Sequence, residues 1–385
     1  MTSLLLALIY LAFISLGLPD SLLGSAWPVM YPQFDVPMSY AGIISMIICA
    51  GTIVSSLNSD RLTRRFGAGA VTAVSVALTA LGLLGFSWSN SFWLLCVIAV
   101  PYGLGAGGVD AALNNYVAVH YASRHMSWLH CMWGVGASIG PYIMSFALTG
   151  DYGWSMGYRS IGIFQIVLTV ILFLSLPLWK TRKGKAEEAS AGPALSMGQV
   201  FAIPGAKQII LTFFCYCALE QTVCLWGSSY LVLHSGMAEE AAAGFASMFL
   251  IGLTIGRFIS GFLTFKLKDS QMIRLGQGLI GIGVLALLLP FGQAVELLGL
   301  ILVGLGCAPI YPCIIHSTPE HFGAERSQAL IGIQMASAYV GCLIMPPVFG
   351  IIAQHITTAL FPWYLLAILV LMVISHELLL RKTEE

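Results

Sequence analysis

Three carboxylic acids stand inside long apolar stretches of the chain and are the first candidates for chemistry. Asp20, Asp110 and Glu220 lie in stretches that are otherwise rich in hydrophobic residues. A charged carboxylate at the centre of a bilayer is energetically costly, so an acid at that depth indicates a functional site. Burial also favours the protonated form of a carboxyl group, which suits an acid that takes up and releases a proton. The alternative is a neutral, hydrogen-bonded acid that only holds helices together.

The residues around two of these acids indicate how each would work. Asp110 and Asn114 are four residues apart, so on a helix they share a face and the amide can hydrogen-bond the acid in either protonation state. Asp20 follows Gly17 and Pro19, which would break a helix and free backbone carbonyl groups to line a cavity. A broken helix with an acid suits a sodium ion as well as a proton. The sequence therefore leaves the cation open between H+ and Na+, and it predicts no cofactor and no bound metal.

Polar and aromatic side chains at helical spacing form a candidate site for a small polar solute. Carboxylate and amide oxygens accept hydrogen bonds from hydroxyl groups, and aromatic faces can stack on sugar rings. The candidate binding residues are Asn114, Asn115, Trp133, Glu220, Gln221, Trp226, Tyr230, Gln334 and Trp27. For Trp27 and Tyr230, which stand toward helix ends, anchoring at the membrane interface is an equally good interpretation.

The composition predicts that these residues are carried by an integral membrane protein. Of the 385 residues 58% are hydrophobic and 9% are charged, and the mean hydropathy is +0.88. A soluble globular protein carries about 25% charged residues, so this chain has too little polar surface for water. The 17 basic and 17 acidic residues give no basic excess, which argues against a nucleic-acid partner.

Twelve apolar segments are long enough to cross a hydrocarbon core about 30 Å thick as helices. Continuous apolar runs favour helices, because the strands of a membrane barrel would alternate in hydropathy. We therefore predict an all-α membrane protein in contact with the lipid bilayer. The predicted spans are residues 4–31, 38–59, 67–88, 91–119, 126–149, 159–179, 204–233, 241–265, 271–290, 294–316, 327–353 and 358–380.

The basic residues predict the orientation of these spans. Of the 17 Lys and Arg residues, all but Arg159 fall on one side, which the positive-inside rule assigns to the cytoplasm. Both termini are then cytoplasmic in a multi-pass protein of the cell membrane. Arg257 is placed at the cytoplasmic end of a span, so we expect no Lys or Arg at membrane depth to neutralise the three acids.

A polar loop at residues 181–203 divides the chain into two predicted bundles of six helices, residues 1–180 and 204–385. A constant shift of 201 residues places Ser59 on Ser260 and Gly140 on Gly341, among several other matches. Two related bundles predict a solute site near the membrane midplane between the halves, and alternating access by rocking.

The loop after the second span carries Asp60-Arg61-Leu62-Thr63-Arg64-Arg65. With the 6+6 pattern, it resembles the major facilitator superfamily, whose loop pattern is Gly-x-x-x-Asp-Arg-x-Gly-Arg-Lys/Arg. Ser56 and Thr63 stand where that pattern has glycines. We interpret the loop as a cytoplasmic gate in which Asp60 pairs with an arginine and caps a neighbouring helix. The candidate gate residues are Asp60, Arg61, Arg64, Arg65 and Arg257.

Three motifs resemble the fucose permease-like sugar transporters within that superfamily. They are the glycine-rich run Gly103 to Asn115, the run Leu129 to Pro141 with His130 and Trp133, and Tyr216-Cys-Ala-Leu-Glu220 followed by Trp226 and Tyr230. The resemblance implies proton coupling by acids on helices 1 and 4, where Asp20 and Asp110 stand. His130 can also titrate near neutral pH, so the candidate cation-coupling residues are Asp20, Asp110 and His130.

The sequence thus predicts a monomeric secondary active transporter that imports a small polar solute, a monosaccharide, by cation symport. The alternative is a proton-coupled exporter of drugs or metabolites with the same fold, which would also use acids in the membrane. An enzyme is disfavoured, because the longest loop is too short for a catalytic domain. No Gly-x-x-x-x-Gly-Lys-Ser loop for ATP occurs either.

Overall fold

The computed structural model describes residues 2–20, 22–37, 40–150, 152–180, 195–237 and 239–383, and its regular elements are helices. Residues 181–194 of the predicted linker lie outside the described residues, so the division at 181–203 stays a prediction. The helices are α1 (Thr2–Gly17), α2 (Leu22–Gln33), α3 (Ala41–Phe66), α4 (Ala68–Trp88), α5 (Phe92–His120), α6 (Ser123–Thr149), α7 (Trp154–Leu174), α8 (Leu176–Lys180), α9 (Met197–Ala202), α10 (Ala206–Leu233), α11 (Glu239–Leu263), α12 (Asp269–Leu288), α13 (Gln293–Phe322), α14 (Ala324–His355) and α15 (Phe361–Thr383), with a 3-10 turn at Thr358–Leu360.

The predicted all-α membrane fold is confirmed. Among the described residues, eleven segments are long and apolar enough to cross a membrane, from Leu4–Gln33 to Thr358–Thr383. The eighth predicted span corresponds to α11 (Glu239–Leu263), of which Phe249–Leu263 is an apolar helical segment. The elements α8 and α9 are too short to span and flank the predicted linker.

The first span is broken in the middle, as its Gly and Pro residues predict. Helix α1 ends at Gly17 and α2 begins at Leu22. Between them the backbone closes short turns, with the amide of Asp20 bonded to the carbonyl of Gly17 and the amide of Leu22 bonded to that of Pro19, both at 3.1 Å. Proline has no N–H to continue a helix ladder, which explains why the break falls here. Asp20 therefore stands at the junction of two half-helices.

Helix α6 lies directly against this break because glycines remove the side chains that would separate the two backbones. A Cβ atom added at Gly136 would collide with the carbonyl oxygen of Ile14, and one at Gly140 with that of Leu18. From the other side, a Cβ at Gly17 would collide with the carbonyl oxygen of Trp133. Small residues are what allow membrane helices to approach this closely. The approach places Trp133 beside Asp20.

The glycine run of α5 serves the same purpose for the second acid. A Cβ at Gly103 or Gly107 would collide with backbone carbonyl oxygens of α3, and one at Gly108 with the Ser75 side chain of α4. Helix α5 is thus packed closely against two neighbours at once. This packing buries the turn that follows the glycines and carries Asp110.

The folded chain consists of two compact units. Unit 1 comprises Met1–Val119, Leu129–Leu195 and Ala324–Ala336, and unit 2 comprises His120–Trp128, Ser196–Gly323 and Ser337–Glu385. Each unit draws most of its residues from one half of the chain and a short helical piece from the other half.

Buried amide and hydroxyl groups tie helices together inside unit 1. The Gln165 side chain on α7 accepts a hydrogen bond from Thr79 Oγ1 on α4 at 2.9 Å and donates one to the carbonyl oxygen of Ser15 on α1 at 2.7 Å. Buried polar groups are costly without such partners, so this amide fixes the relative position of three helices.

Replacing Gly136 by Ala should destabilise the protein, because the new methyl group must displace the backbone of α1. Overpacking of this kind costs about 1–3 kcal/mol. Thermal unfolding of the detergent-solubilised protein, followed by tryptophan fluorescence, should show a lower midpoint for Gly136→Ala than for the wild type.

Gly24→Ala is the matched control, since a Cβ at this exposed position in α2 meets no atom within 4 Å. Its midpoint should equal or exceed that of the wild type, because alanine favours a helix. Equal midpoints for the two variants would contradict the packing argument.

Candidate functional site

Asp20 is held at the helix break by one aromatic donor. Trp133 Nε1 on α6 donates a hydrogen bond to Asp20 Oδ2 at 2.7 Å. The Asp20 residue is exposed although it belongs to a membrane-spanning segment, and Trp133 is half-buried. The structure therefore joins two residues that the sequence assigned to different tasks, the coupling acid and an aromatic of the solute site.

Asp110 heads a buried chain of three polar side chains. Asn114 Nδ2 donates to Asp110 Oδ1 at 2.7 Å, and Asn114 Oδ1 lies 3.0 Å from His130 Nε2. Asp110, Asn114 and His130 are 5%, 0% and 4% exposed, so the chain is shielded from bulk water. Because the amide oxygen only accepts, this arrangement assigns a proton to Nε2 of His130. The predicted shared face of Asp110 and Asn114 is confirmed.

The two acids of unit 1 have one neighbouring helix in common. Trp133, which donates to Asp20, and His130, which lies beside Asn114, both come from α6. The predicted coupling set, Asp20, Asp110 and His130, thus lies in unit 1.

Several predicted solute-binding residues of unit 1 are packed inside the protein instead of lining a surface. Asn114 is fully buried and uses both amide groups on Asp110 and His130. Gln334 is fully buried as well, and Trp27 is 3% exposed in a hydrophobic core where it packs edge-on against Phe92. The polar or aromatic character of these residues does not predict whether their side chains lie in the core or line a cavity.

In unit 2, Glu220 has a cation beside it, which corrects the expectation from the sequence. Arg257 Nη2 on α11 lies 3.6 Å from Glu220 Oε2, and the side chain of Arg257 is 3% exposed. The hydroxyl of Tyr216, one turn earlier on α10, donates to the same Oε2 and lies 3.4 Å from Arg257 Nη2. The prediction that no Lys or Arg stands at membrane depth is wrong, because a buried guanidinium is tolerated where a carboxylate compensates it.

The other candidates on α10 do not converge on Glu220. Gln221 is exposed. Trp226 donates through Nε1 to the carbonyl oxygen of Pro346 at 2.9 Å, and Tyr230 donates to that of Leu287 at 3.2 Å. Trp226 and Tyr230 are four residues apart and share a face of α10, but their N–H and O–H groups are bonded to backbone carbonyl groups of neighbouring helices.

Asp60 and Arg64 form the centre of the predicted gate, within unit 1. Arg64 Nε donates to Asp60 Oδ1 at 2.8 Å, and Arg64 Nη2 donates to the carbonyl oxygen of Glu325 at 2.6 Å. The second oxygen of Asp60 accepts from the amide of Leu195 at 3.3 Å. Asp60 is 4% exposed, so these are partners of a buried acid and not of a solvated one.

Of the other three residues of the predicted gate, two are on the same helix as Asp60 and one is in unit 2. Arg61 and Arg65 are exposed, and Arg65 rests over the ring of Phe66 at 5.2 Å. Arg257 belongs to the Glu220 cluster described above. The sequence placed Arg257 in the gate because it stands near the end of a predicted span. In the structure its side chain is buried and contacts Glu220.

The first turns of α14 are fixed to α3 and α5 by further polar contacts in unit 1. Gln328 Nε2 lies 3.2 Å from Ser59 Oγ, and Ser327 Oγ donates to Asn115 Oδ1 at 2.5 Å. A Cβ at Gly332 would collide with the carbonyl oxygen of Ser56. Asn115, predicted to bind solute, is therefore part of this contact with α14.

Unit 2 has a comparable cluster that the sequence did not indicate. His316 Nδ1 on α13 lies 2.5 Å from Asp269 Oδ2 on α12, and its Nε2 lies 3.0 Å from the carbonyl oxygen of Tyr121. Ser123 at the start of α6 donates to the other oxygen of Asp269. Asp269 looks like an ordinary helix-start acid in the sequence, and only the fold brings it to His316 and Ser123.

Within the described part of the chain no group of three or more His, Cys, Asp or Glu residues has the arrangement of a metal site. The nine cysteines are free thiols.

Comparison with known proteins identifies the family. A sequence profile described as Major Facilitator Superfamily matches residues 9–327. The yeast protein named "Bypass of stop codon protein 6" from Saccharomyces cerevisiae is 23% identical over 67% of this chain, and this chain spans 56% of its length. The "Glucose/mannose transporter GlcP" of Bacillus subtilis is 21% identical over 79% of this chain and 77% of its own.

Two solved structures show the same fold. The E. coli fucose:proton symporter FucP superposes with a TM-score of 0.73 at 18% identity, covering 97% of this chain and 98% of its own. The proton:xylose symporter XylE, bound to 6-bromo-6-deoxy-D-glucose, superposes with a TM-score of 0.80 at 12% identity, covering 98% of this chain and 94% of its own.

Replacing Arg64 by Gln should destabilise the protein, because it removes two charged hydrogen bonds and leaves Asp60 buried without its cation. The loss of a charged partner of this kind costs about 1–3 kcal/mol. Arg65→Gln on the same helix is the control, since Arg65 is exposed and should change stability by less than about 0.5 kcal/mol. Thermal midpoints of the two variants measure the difference, and a shift of equal size in both would refute this assignment.

Proposed function

Because the chain belongs to the Major Facilitator Superfamily, we propose that it carries a monosaccharide across the membrane together with a proton, by alternating access. It is a membrane transporter and not an enzyme. The main support for this proposal is Asp20. It is an exposed acid at the break of a membrane-spanning segment, and its side chain accepts a hydrogen bond from Trp133.

The environment of Asp20 supports a role in binding the cation. Among the described residues no Lys, Arg or His forms an ion pair with it, in contrast to Glu220 with Arg257 and Asp60 with Arg64. A carboxylate in a membrane without a basic partner is stabilised by taking up a proton or a sodium ion. We favour the proton, because Asp110, Asn114 and His130 form a buried hydrogen-bonded chain nearby that has the groups to hold one.

A sugar as the solute is supported by the residues and by the relatives. Within unit 1, Trp133 presents a half-buried indole beside the exposed carboxylate of Asp20. GlcP, FucP and XylE are named for hexoses and a pentose. The proposal includes cytoplasmic termini, on the basis of the basic residues.

Transport should be tested with the full-length protein in proteoliposomes. An inward pH gradient or, separately, an inward sodium gradient is imposed, and labelled glucose, mannose, fucose and xylose are offered. Accumulation driven by the pH gradient is the expected result. Accumulation driven by sodium alone would replace the proton in the proposal. Failure of every sugar under both gradients would overturn it in favour of the alternative, an exporter of drugs or metabolites.

Replacing Asp110 by Asn should separate coupling from binding. The variant keeps a hydrogen-bonding partner for Asn114 but can no longer release a proton, so gradient-driven accumulation should fall at least about 10-fold while exchange of sugar across the membrane persists. Asp35→Asn is the control, because Asp35 is exposed between α2 and α3 at a positive φ of 52° that asparagine also tolerates. Full accumulation by Asp110→Asn would exclude Asp110 as the coupling acid.

A further inference from the structure

We infer that Arg257 is a positioning residue that keeps Glu220 ionised, so that Glu220 accepts hydrogen bonds from uncharged hydroxyl groups of the solute and takes no part in carrying the proton. The inference rests on the proposed function and adds that the three membrane acids have different roles. It also adds the class of solute, an uncharged polyol.

The geometry leaves one oxygen of Glu220 for a solute. Arg257 Nη2 and the hydroxyl of Tyr216 both contact Oε2 of Glu220. No described residue donates a hydrogen bond to Oε1. The side chain of Glu220 is 18% exposed whereas that of Arg257 is 3% exposed. Of the two charged groups, the carboxylate is therefore the more accessible one.

The energetics require Glu220 to stay charged. A guanidinium does not lose its proton in proteins, so Arg257 remains a cation at its buried position. Breaking a buried ion pair by neutralising one partner leaves an uncompensated charge, which is strongly unfavourable. Protonation of Glu220 would have this effect, whereas protonation of Asp20 would not.

The described side chains around the pair include phenols and thiols. They are Tyr216, Cys217 and Cys224 on α10, and Cys307 and Tyr311 on α13. Phenol and thiol groups are ordinarily neutral near pH 7. Within this set of described residues, the balance is therefore one carboxylate against one guanidinium.

This balance selects the solute. The accessible Oε1 is a negatively charged acceptor, so it binds hydroxyl donors and repels a carboxylate on the solute. A hexuronate should therefore bind more weakly than the hexose of the same configuration. The contrast is informative because the two solutes have the same ring and differ at one carbon.

The ionisation of Glu220 can be measured without any solute. Infrared difference spectra of the purified full-length protein are recorded between about pH 5 and about pH 8, a range in which a shifted carboxyl group would titrate. A protonated-carboxyl band that disappears in Glu220→Gln reports on Glu220 alone. The wild type should show no such band, and Arg257→Gln should show one. A Glu220-dependent band in the wild type, or none in Arg257→Gln, overturns the inference.

Solute binding supplies the second measurement, with D-glucose, D-mannose, L-fucose and D-glucuronate as the probes. Relative to the wild type at each pH, Arg257→Gln should lose at least about 10-fold more affinity at about pH 5 than at about pH 8, because the variant no longer holds a cation beside the acceptor carboxylate. Arg257→Lys keeps the positive charge and should abolish this difference. The double variant Glu220→Gln with Arg257→Gln should abolish it too. A pH dependence that persists in the double variant overturns the inference, since a merely structural Arg257 would give that result.

The two proposals fail in different ways. If none of the three neutral sugars binds the wild type, the proposed solute is wrong and the infrared measurement still decides the role of Arg257. If D-glucuronate binds as tightly as D-glucose, the solute class assigned to Glu220 is wrong. Should Arg257→Gln not fold, the wild-type spectrum decides, because a Glu220-dependent band there is sufficient to exclude a permanently charged carboxylate.

Discussion

A polar group at membrane depth must find its partner inside the protein, and the arrangement of both units follows from this constraint. Water is absent from the hydrocarbon region, so each acid, amide and free carbonyl group needs a donor or acceptor on a neighbouring helix. Asp20 meets Trp133, Asp110 meets Asn114, and Glu220 meets Tyr216 and Arg257. The helices that supply these partners approach one another closely where glycines permit it, so the apolar packing and the polar contacts depend on each other.

The three membrane acids differ because their partners differ. Trp133 and Asn114 can hydrogen-bond a carboxyl group without fixing its charge, since both are neutral. Arg257 is a permanent cation beside Glu220, and in the proposed assignment it keeps that acid charged. In the proposed transporter one acid can therefore change its protonation state while another keeps its charge, and a single residue on α11 makes the difference.

The helices, the break at Pro19 and the shared face of Asp110 and Asn114 could be predicted, because each follows from local chemistry. Hydropathy over about 20 residues determines a span, and a proline removes a donor wherever the chain places it. The partners of Glu220 could not be predicted. Arg257 stands 37 positions further along the chain, and whether its side chain turns inward depends on how α11 packs against α10. For the same reason the sequence did not determine the location of Trp27 and Tyr230. An aromatic residue near a helix end is equally compatible with a core, a cavity and a membrane interface.

The hydrogen bond from Arg64 to α14 ends on a backbone carbonyl group and not on the side chain of Glu325. Every amino acid supplies that oxygen, so residue 325 can change during evolution without loss of the contact. What the arginine recognises is the position of the first turn of α14. A displacement of that turn breaks the bond whichever residue stands at position 325. The contact therefore depends on the position of the helix, and substitutions at residue 325 do not affect it.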